Sequence, residues 1–354
     1  MKKHKICKIL LVILAIFLCV AFYELLGICV AYKKQPEVSN TTKKETKNGS
    51  WNECSENTER AVIIEKNPEA LLQRVRLIKN AKKEIILSTF AFQSDESGKL
   101  ILGALHDAAD RGVHIRLLVD GMESWIDMEG NPYFYGLSSH ENVEIKLYNK
   151  ANPLKPWKMM GRMHDKYLIA DGKRYILGGR NTYNYFLGDF PGHKNYDRDV
   201  LVVCDEPEKE NSVNQLLEYF ETIWEQEDSG YFHDNKKLAN RKSVKNAVLE
   251  LQNGYQKYFE ENKERICDTD YTDETFETEK IALVSNPIHT GSKEPVVWYQ
   301  LGELMKNAKN RVKIHTPYII CNDMMYNTWE EIAENVSDFS IMTNSVANNG
   351  NPFG

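Results

Sequence analysis

The feature that most constrains the fold is a repeated order of predicted elements, in which a helix is followed by a strand, a second helix and a second strand. The run IKNAK at residues 78–82 is echoed later in the chain by MKNAK at residues 305–309, and a β-rich stretch follows each run. A repeat of several elements in one order indicates two homologous lobes. Helices that alternate with strands predict an α/β fold with a sheet sandwiched by helices.

The first lobe contains most of the predicted elements. Helices are predicted over residues 71–81 and 98–111, and the second ends at Gly112, a common helix stop. The runs that predict strands are residues 84–92, 114–120, 143–148, 167–170, 175–177 and 200–204. In the second lobe the matching strands are residues 311–320 and a run that ends at residues 343–344.

Changes in composition along the chain divide it into six segments. Residues 205–280 are strongly charged and have helical stretches around 213–226 and 238–262, which favours a connector between lobes. The predicted segments are a basic tail (1–8), a transmembrane anchor (9–32), a polar stalk (33–60), a first lobe with the catalytic motif (61–204), a charged helical connector (205–280) and the start of a second lobe (281–354).

The apolar segment at residues 9–32 is long enough to cross a bilayer as a helix, which requires about 20 residues. Glu24 is its one charged residue, and four lysines precede it. The basic tail favours an N-terminus on the cytoplasmic side, so that the globular part is expected outside the cytoplasm, in a cell-membrane protein. A cleaved signal peptide is the alternative, although the apolar run is longer than the usual core of such a peptide.

The net charge of −6 gives no basic excess, so nucleic acid is not the expected partner. The seven cysteines form no C-x-x-C pair, and a zinc site is therefore not predicted. Cys204 lies in the apolar run 200–204 and is predicted to be a buried core residue. A disulfide between two of the other cysteines stays open.

The candidate catalytic residues begin at His164. Lys166 lies two residues later, so that on a strand the two side chains project from the same face. A histidine nucleophile and a cation can then meet one phosphate, with the ammonium and the Asn181 amide binding its oxygens. Gly178 and Gly179 precede Asn181 and allow the backbone to approach a substrate closely.

Three carboxylates, Asp171, Asp197 and Asp199, complete the candidate set. Asp171 lies five residues after Lys166 and is followed by Gly172, which indicates that it fixes a turn between two strands more than it touches substrate. Asp197 and Asp199 share a face before an apolar strand, and one of them could hold the imidazole N–H and set its tautomer.

The pattern H-x-K-x4-D with the later GG-x-N resembles the phospholipase D superfamily. Within it, RMH at 162–164, GRN at 179–181 and the later D-x-D at 197–199 resemble the bacterial cardiolipin synthase-like branch. The resemblance implies that His164 becomes a phosphohistidine and that Lys166, Gly179 and Asn181 bind the phosphate. It also implies that Asp199 orients the histidine and that no metal or other cofactor takes part.

Enzymes of this superfamily pair two such motifs across one active site. His164 shifted by the repeat distance of 227 gives position 391, beyond the 354 residues of the sequence. We therefore expect either that the chain is a truncated form of a longer enzyme or that a second chain, such as the partner in a homodimer, supplies the other motif.

The leading hypothesis is a membrane-anchored enzyme that transfers a phosphatidyl group, as a cardiolipin synthase does, with phosphatidylglycerol as donor and acceptor. The alternatives are a phospholipase D hydrolase, a one-motif dimeric nuclease and an inactive membrane-tethered protein. The aromatic residues Trp125, Trp157 and those at 133–135 could form an apolar entrance beside the membrane, and the alternative is that they are exposed aromatics that anchor loops.

Overall fold

The computed structural model describes residues 2–49, 59–204, 211–233 and 235–345. The chain divides into two compact units. The first comprises residues 1–34, 54–283 and 288–292, and the second comprises residues 35–53, 284–287 and 293–354.

The secondary structure alternates helices and strands along most of the chain. The helices are α1 (Lys2–Tyr32), α2 (Asn40–Asn48), α3 (Asn67–Asn80), α4 (Glu96–Asp110), α5 (Glu123–Asp127), α6 (Pro132–Ser138), α7 (Ser212–Trp224), α8 (Lys242–Glu261), α9 (Lys263–Cys267), α10 (Val296–Lys306) and α11 (Asp323–Asn335). The strands are β1 (Glu59–Ile64), β2 (Glu84–Thr89), β3 (His114–Asp120), β4 (Val143–Tyr148), β5 (Lys166–Ala170), β6 (Arg174–Gly178), β7 (Asp199–Cys204), β8 (Ser229–Tyr231), β9 (Phe276–Glu277), β10 (Arg311–His315) and β11 (Asp338–Met342).

A mixed sheet forms the centre of the first unit, with the strand order β8-β4-β3-β2-β5-β6-β7-β1-β9. The neighbours β2, β3 and β4 run parallel, whereas β5 pairs antiparallel with β2 and β6, and β6 with β7. The carboxyl ends of β2, β3 and β4 therefore lie at the same edge of the sheet as the amino end of β5. Loops at this edge are placed to carry a site, as is usual for the carboxyl ends of parallel strands.

Both faces of this sheet are covered, as the predicted sandwich requires. Ile85 and Leu87 of β2 point into one core, whereas Ile86 points into the other. The first core includes residues of α3, α4 and α8, and the second includes residues of α7. Strands buried on both faces are rich in Ile, Leu and Val, and β2 and β3 show this composition.

The second unit repeats the beginning of the first. It contains α10, β10, α11 and β11 in that order, and β10 pairs parallel with β11, as β2 does with β3. In the second unit β10 starts at Arg311 and α11 starts at Asp323. The number of residues between these two starts equals that between the start of β2 at Glu84 and the start of α4 at Glu96. The predicted fold, one lobe followed by the start of a homologous second lobe, is thus confirmed in element order and spacing.

The described part of residues 205–280, which was predicted to be a charged helical connector, also packs within the first unit. α7 packs its apolar side on the sheet, and α8 packs against α4 and α6. β8 also pairs with β4 at the edge of the sheet. The reason is that α7 and α8 are amphipathic, with Val213, Leu216 and Phe220 buried on one side of α7.

The N-terminal segment is a single helix, α1. By length and composition its residues Lys5–Tyr32 could cross a membrane, and their apolar side chains are exposed. The predicted stalk differs from an extended linker because it contains α2, whose N-cap Ser39 accepts a hydrogen bond from the amide of Thr42. Residues 50–58 of the stalk lie outside the described ranges.

Cys204 is buried in β7, as predicted. Within the described ranges no disulfide joins two cysteines. Cys54 and the end of the predicted second lobe, residues 346–354, lie outside those ranges.

Candidate active site

Three of the predicted site residues meet at the sheet edge where β2, β3 and β4 end. Lys166 begins β5 opposite Thr89, the last residue of β2, and His164 precedes it. Asn181 follows β6, and its neighbour Thr182 forms a parallel bridge with Phe92 beyond β2. The pairing of β2, β5 and β6 therefore brings the two halves of the motif together.

The side chains of His164 and Lys166 are in direct contact. The Lys166 Nζ lies 3.2 Å from the His164 Nδ1 and donates a hydrogen bond to the His164 carbonyl oxygen at 2.7 Å. The ring of Phe90 lies 4.6 Å from the His164 ring and 5.3 Å from the Lys166 Nζ. Phe90, which the sequence analysis missed, packs against both groups at the end of β2.

The surroundings change the protonation of both groups. Part of the His164 side chain is exposed, but desolvation of the rest and the neighbouring Lys166 charge lower the pKa of His164 to about 4. Burial lowers the pKa of Lys166 to about 8, and the carboxylates of Asp165 and Asp197 oppose this shift. At neutral pH the imidazole is therefore unprotonated and most of the lysine is charged.

Asn181 and Gly179 lie in the loop after β6, at the same edge of the sheet as this pair. The Asn181 Oδ1 accepts a hydrogen bond from the Ala91 amide at 3.3 Å, which fixes the side-chain amide. A Cβ on Gly179 would overlap the carboxylate of Asp197, so a side chain at this position would require that carboxylate to move. The glycine pair thus allows the carboxylates of the next strand to approach the loop that holds Asn181.

Asp171 lies at the opposite end of β5 from Lys166, and the structure does not bring it to the other candidates. Its carboxylate accepts hydrogen bonds from the amides of Lys82, Lys83 and Glu84 at 2.7 to 3.1 Å. Its backbone φ of 55° is in the left-handed region, as in a tight turn. The interpretation that Asp171 fixes a turn agrees with this geometry, and its inclusion among the catalytic residues does not.

Asp199 does not form the predicted contact with His164. Its carboxylate is fully buried and pairs with Arg74 at 2.9 Å and with Arg180 at 3.2 Å, which are its ion-pair partners among the described residues. The physical reason is that α3 and the loop after β6 place two buried guanidinium groups against it. The carboxylates whose charges act on Lys166 are that of Asp165 and, of the pair Asp197 and Asp199, that of the half-buried Asp197.

A buried carboxylate that the sequence analysis missed supports the segment before His164. Asp120, the last residue of β3, accepts hydrogen bonds from the Met163 amide at 3.0 Å, from the Met122 amide at 2.9 Å and from Arg162 at 3.1 Å. Burial raises the pKa of Asp120, and the Arg162 charge opposes this shift. The sequence signal that could have identified Asp120 is the Asp-Gly pair at the end of β3, because the carboxyl ends of parallel strands often carry site residues.

Comparisons with known proteins find similarity to a family of lipid enzymes in the part of the chain that holds this site. Residues 74–224 match the family model described as "Cardiolipin synthase, PLD-like domain". An uncharacterised Helicobacter pylori protein is 28% identical over 315 residues, which cover 81% of this chain and 59% of that protein. Cardiolipin synthase C of Escherichia coli is 29% identical over 171 residues, covering 44% of this chain and 34% of that enzyme.

Among solved structures, phosphatidylserine synthase of Haemophilus influenzae has the same fold, with a TM-score of 0.57 and a sequence identity of 16%. The match covers 86% of this chain and 66% of that protein. The chain spans about three fifths of the length of the first curated relatives that it matches.

Proposed function

The chain carries a phospholipase D-like domain of the cardiolipin synthase type, and we propose that it transfers a phosphatidyl group between phosphatidylglycerol molecules through a phosphohistidine. The observation that carries the proposal is the pair of His164 and Lys166 beside Asn181. At one edge of the sheet His164 supplies an unprotonated imidazole, Lys166 a cation and Asn181 an amide. These are the groups needed to attack phosphorus and to hold its oxygens.

The reaction has two balanced steps. An unprotonated ring nitrogen of His164 attacks the phosphorus, an N–P bond forms, and the P–O bond to the glycerol headgroup breaks as that glycerol takes a proton. The headgroup hydroxyl of a second phosphatidylglycerol then attacks the phosphorus and loses its proton, and the N–P bond breaks. Lys166 and Asn181 bind the non-bridging oxygens in both steps, where negative charge is concentrated.

The proton for the leaving glycerol comes from a second phospholipase D-like motif, as the paired motifs of the superfamily imply. We propose that a second copy of the chain or a further segment of the same polypeptide contributes it. A site shared between two copies predicts that specific activity rises with the density of protein in the vesicle membrane. A constant specific activity over that range would contradict sharing between copies.

The apolar helix α1 is proposed to anchor the chain in the cell membrane, with the globular part on the extracytoplasmic side. The support is the length of the span Lys5–Tyr32 and the basic residues before it. An enzyme anchored in this way has its substrate in the same membrane.

The experiment uses the full chain in vesicles of phosphatidylglycerol with a labelled phosphate. Wild type is expected to form cardiolipin and a labelled protein intermediate that survives denaturation, and His164→Ala is expected to form neither. His114→Ala is the matched control, because His114 begins β3 at the opposite edge of the sheet and pairs with Glu144 at 3.0 Å.

The products distinguish the proposal from its alternatives. Phosphatidic acid in place of cardiolipin would replace the transferase by a hydrolase with the same intermediate. Cleavage of single-stranded DNA without any lipid product would favour the nuclease. Absence of both products and of the labelled intermediate in wild type would contradict catalysis by this chain.

A further inference from the structure

Five large apolar side chains are exposed at the sheet edge that carries His164. Their exposure ranges from 44% at Trp157 to 77% at Leu154. We call them the edge patch, and its members are Trp125, Ile126, Leu154, Trp157 and Met160. Exposed apolar groups clustered in this way mark an interaction surface more often than a random piece of surface does.

The topology of the sheet places these residues together. Trp125 and Ile126 lie in α5, just after the end of β3, and the other three lie in the segment that follows β4. Since β3 and β4 are parallel, both segments leave the sheet at one edge. The same segment leads directly into His164, so the edge patch lies at the edge that carries the proposed nucleophile. By contrast Phe134 and Tyr135, also considered as entrance residues, are buried in the core.

The edge patch is next to the apolar helix α1. The Tyr23 hydroxyl donates a hydrogen bond to the Leu154 carbonyl oxygen at 3.0 Å. Gly27 packs on Pro156 so closely that a Cβ on this glycine would overlap the proline ring. The segment after β4 therefore lies against the carboxyl-terminal third of α1.

The length of α1 indicates how deep in the membrane its contact with the segment after β4 is expected to lie. The apolar span has 28 residues, whereas about 20 cross the hydrocarbon layer. Its last turns, where Tyr23 and Gly27 meet residues 154 and 156, are thus expected at the boundary between hydrocarbon and headgroups. Tryptophan is enriched at this boundary, because its ring is apolar and its N–H is polar.

The exposed charges beside residues 154–160 of the edge patch favour an anionic surface, whereas Trp125 and Ile126 are flanked by Glu123 and Asp127 of α5. Lys150 and Lys155 are exposed beside it. Two other basic residues nearby already have acidic partners, since Lys158 pairs with Asp228 at 2.6 Å and Arg162 with Asp120 at 3.1 Å. Exposed lysines beside an apolar surface are attracted to anionic lipid headgroups.

We propose that the edge patch inserts into the headgroup boundary of an anionic phospholipid bilayer, beside α1, and holds the His164 edge of the sheet against the membrane. This inference rests on the proposed membrane anchor and is independent of the proposed chemistry. It assigns residues 125–126 and 154–160 a lipid contact of their own, in addition to that of α1.

The test measures quenching of tryptophan fluorescence by brominated lipids, with the full chain in phosphatidylglycerol vesicles. The emission of Trp157 is the difference between the emission of wild type and that of Trp157→Phe. We expect brominated lipids to quench it at least twofold more strongly than the emission of a tryptophan placed at the opposite edge of the sheet. That control is Trp157→Phe with Lys173→Trp, since Lys173 is exposed in the turn between β5 and β6. Both positions are exposed, so neither change removes a core contact.

The outcomes separate the patch from the anchor. A protein that floats with the vesicles, but whose Trp157 emission is quenched no more than that of the Lys173→Trp indole, would overturn the proposal and leave the anchor intact. A protein that does not float would overturn both. The double variant Lys150→Gln, Lys155→Gln is expected to lower the Trp157 quenching in phosphatidylglycerol but not in phosphatidylcholine, and equal effects in both lipids would overturn the preference for anionic lipid.

Discussion

The ammonium of Lys166 lies 3.2 Å from the Nδ1 of His164, at the point where β5 starts. At neutral pH the two groups in contact are in opposite protonation states, the imidazole neutral and the ammonium charged. The lysine charge helps to keep the imidazole neutral, and the enclosure that both share makes the lysine easier to deprotonate than usual. A nucleophile that is free of its proton at neutral pH therefore lies beside a cation that can bind phosphate oxygens.

Replacement of Lys166 by methionine is expected to have two effects. It removes a cation from the phosphate site, so kcat for phosphatidyl transfer should fall by about 100- to 1000-fold. It also removes a charge that lowers the pKa of His164, so that pKa should rise from about 4 towards its ordinary value. NMR titration of the histidine ring measures the second effect, and Lys173→Met at the opposite edge is the control. An unchanged His164 titration would contradict the coupling.

The pH dependence of kcat/KM follows from the same two groups. His164 must be unprotonated to attack, so the rate should rise as the pH increases through about 4. Lys166 must be protonated to bind phosphate, so the rate should fall as the pH increases through about 8. We expect a bell-shaped profile between these values, because kcat/KM reports the groups of the free enzyme. Measurement on a soluble short-chain phosphodiester avoids effects of pH on vesicles, and an acid limb near 6.5, the ordinary pKa of histidine, would contradict the lowered pKa.

Much of this arrangement could be predicted from the sequence because it depends on local spacing. The positions of His164 and Lys166 on one strand follow from a separation of two residues. The repeat of helix and strand predicted the second unit, where the strand start at Arg311 coincides with the predicted one. Both are patterns that neighbouring residues determine.

The partners of the carboxylates could not be predicted in this way. Asp199 was expected beside His164, but Arg74 is far away in the chain, and its ion pair depends on how α3 packs on the sheet. The packing of α7 on the sheet did have a signal in the sequence, because Val213, Leu216 and Phe220 are spaced as on the buried face of an amphipathic helix. The high charge of the surrounding segment concealed it.

The change Asp199→Asn tests whether this residue orients the histidine or stabilises the fold. It leaves the buried Arg74 and Arg180 without the carboxylate that both pair with, so the free energy of unfolding should fall by about 3 kcal/mol. The pKa of His164 should remain unchanged, because Asp199 does not act on it. Denaturant unfolding and histidine titration measure the two effects. Full stability together with a large loss of kcat would instead support the orienting role.

Asp120→Asn is expected to act through the backbone before the nucleophile. An asparagine keeps one acceptor oxygen, so it cannot accept from the Met163 amide while it also accepts from Arg162 and the Met122 amide. The residue next to His164 then loses its anchor, and a small displacement of a reacting group lowers kcat more than KM. We expect kcat to fall by about 10- to 100-fold with KM within about twofold of wild type. Asp228→Asn is the matched control, since it breaks a nearby ion pair with Lys158 but leaves the Met163 amide bonded. Equal losses of kcat in the two variants would show that Asp120 has only a general structural effect, because both remove one acidic partner from the same edge.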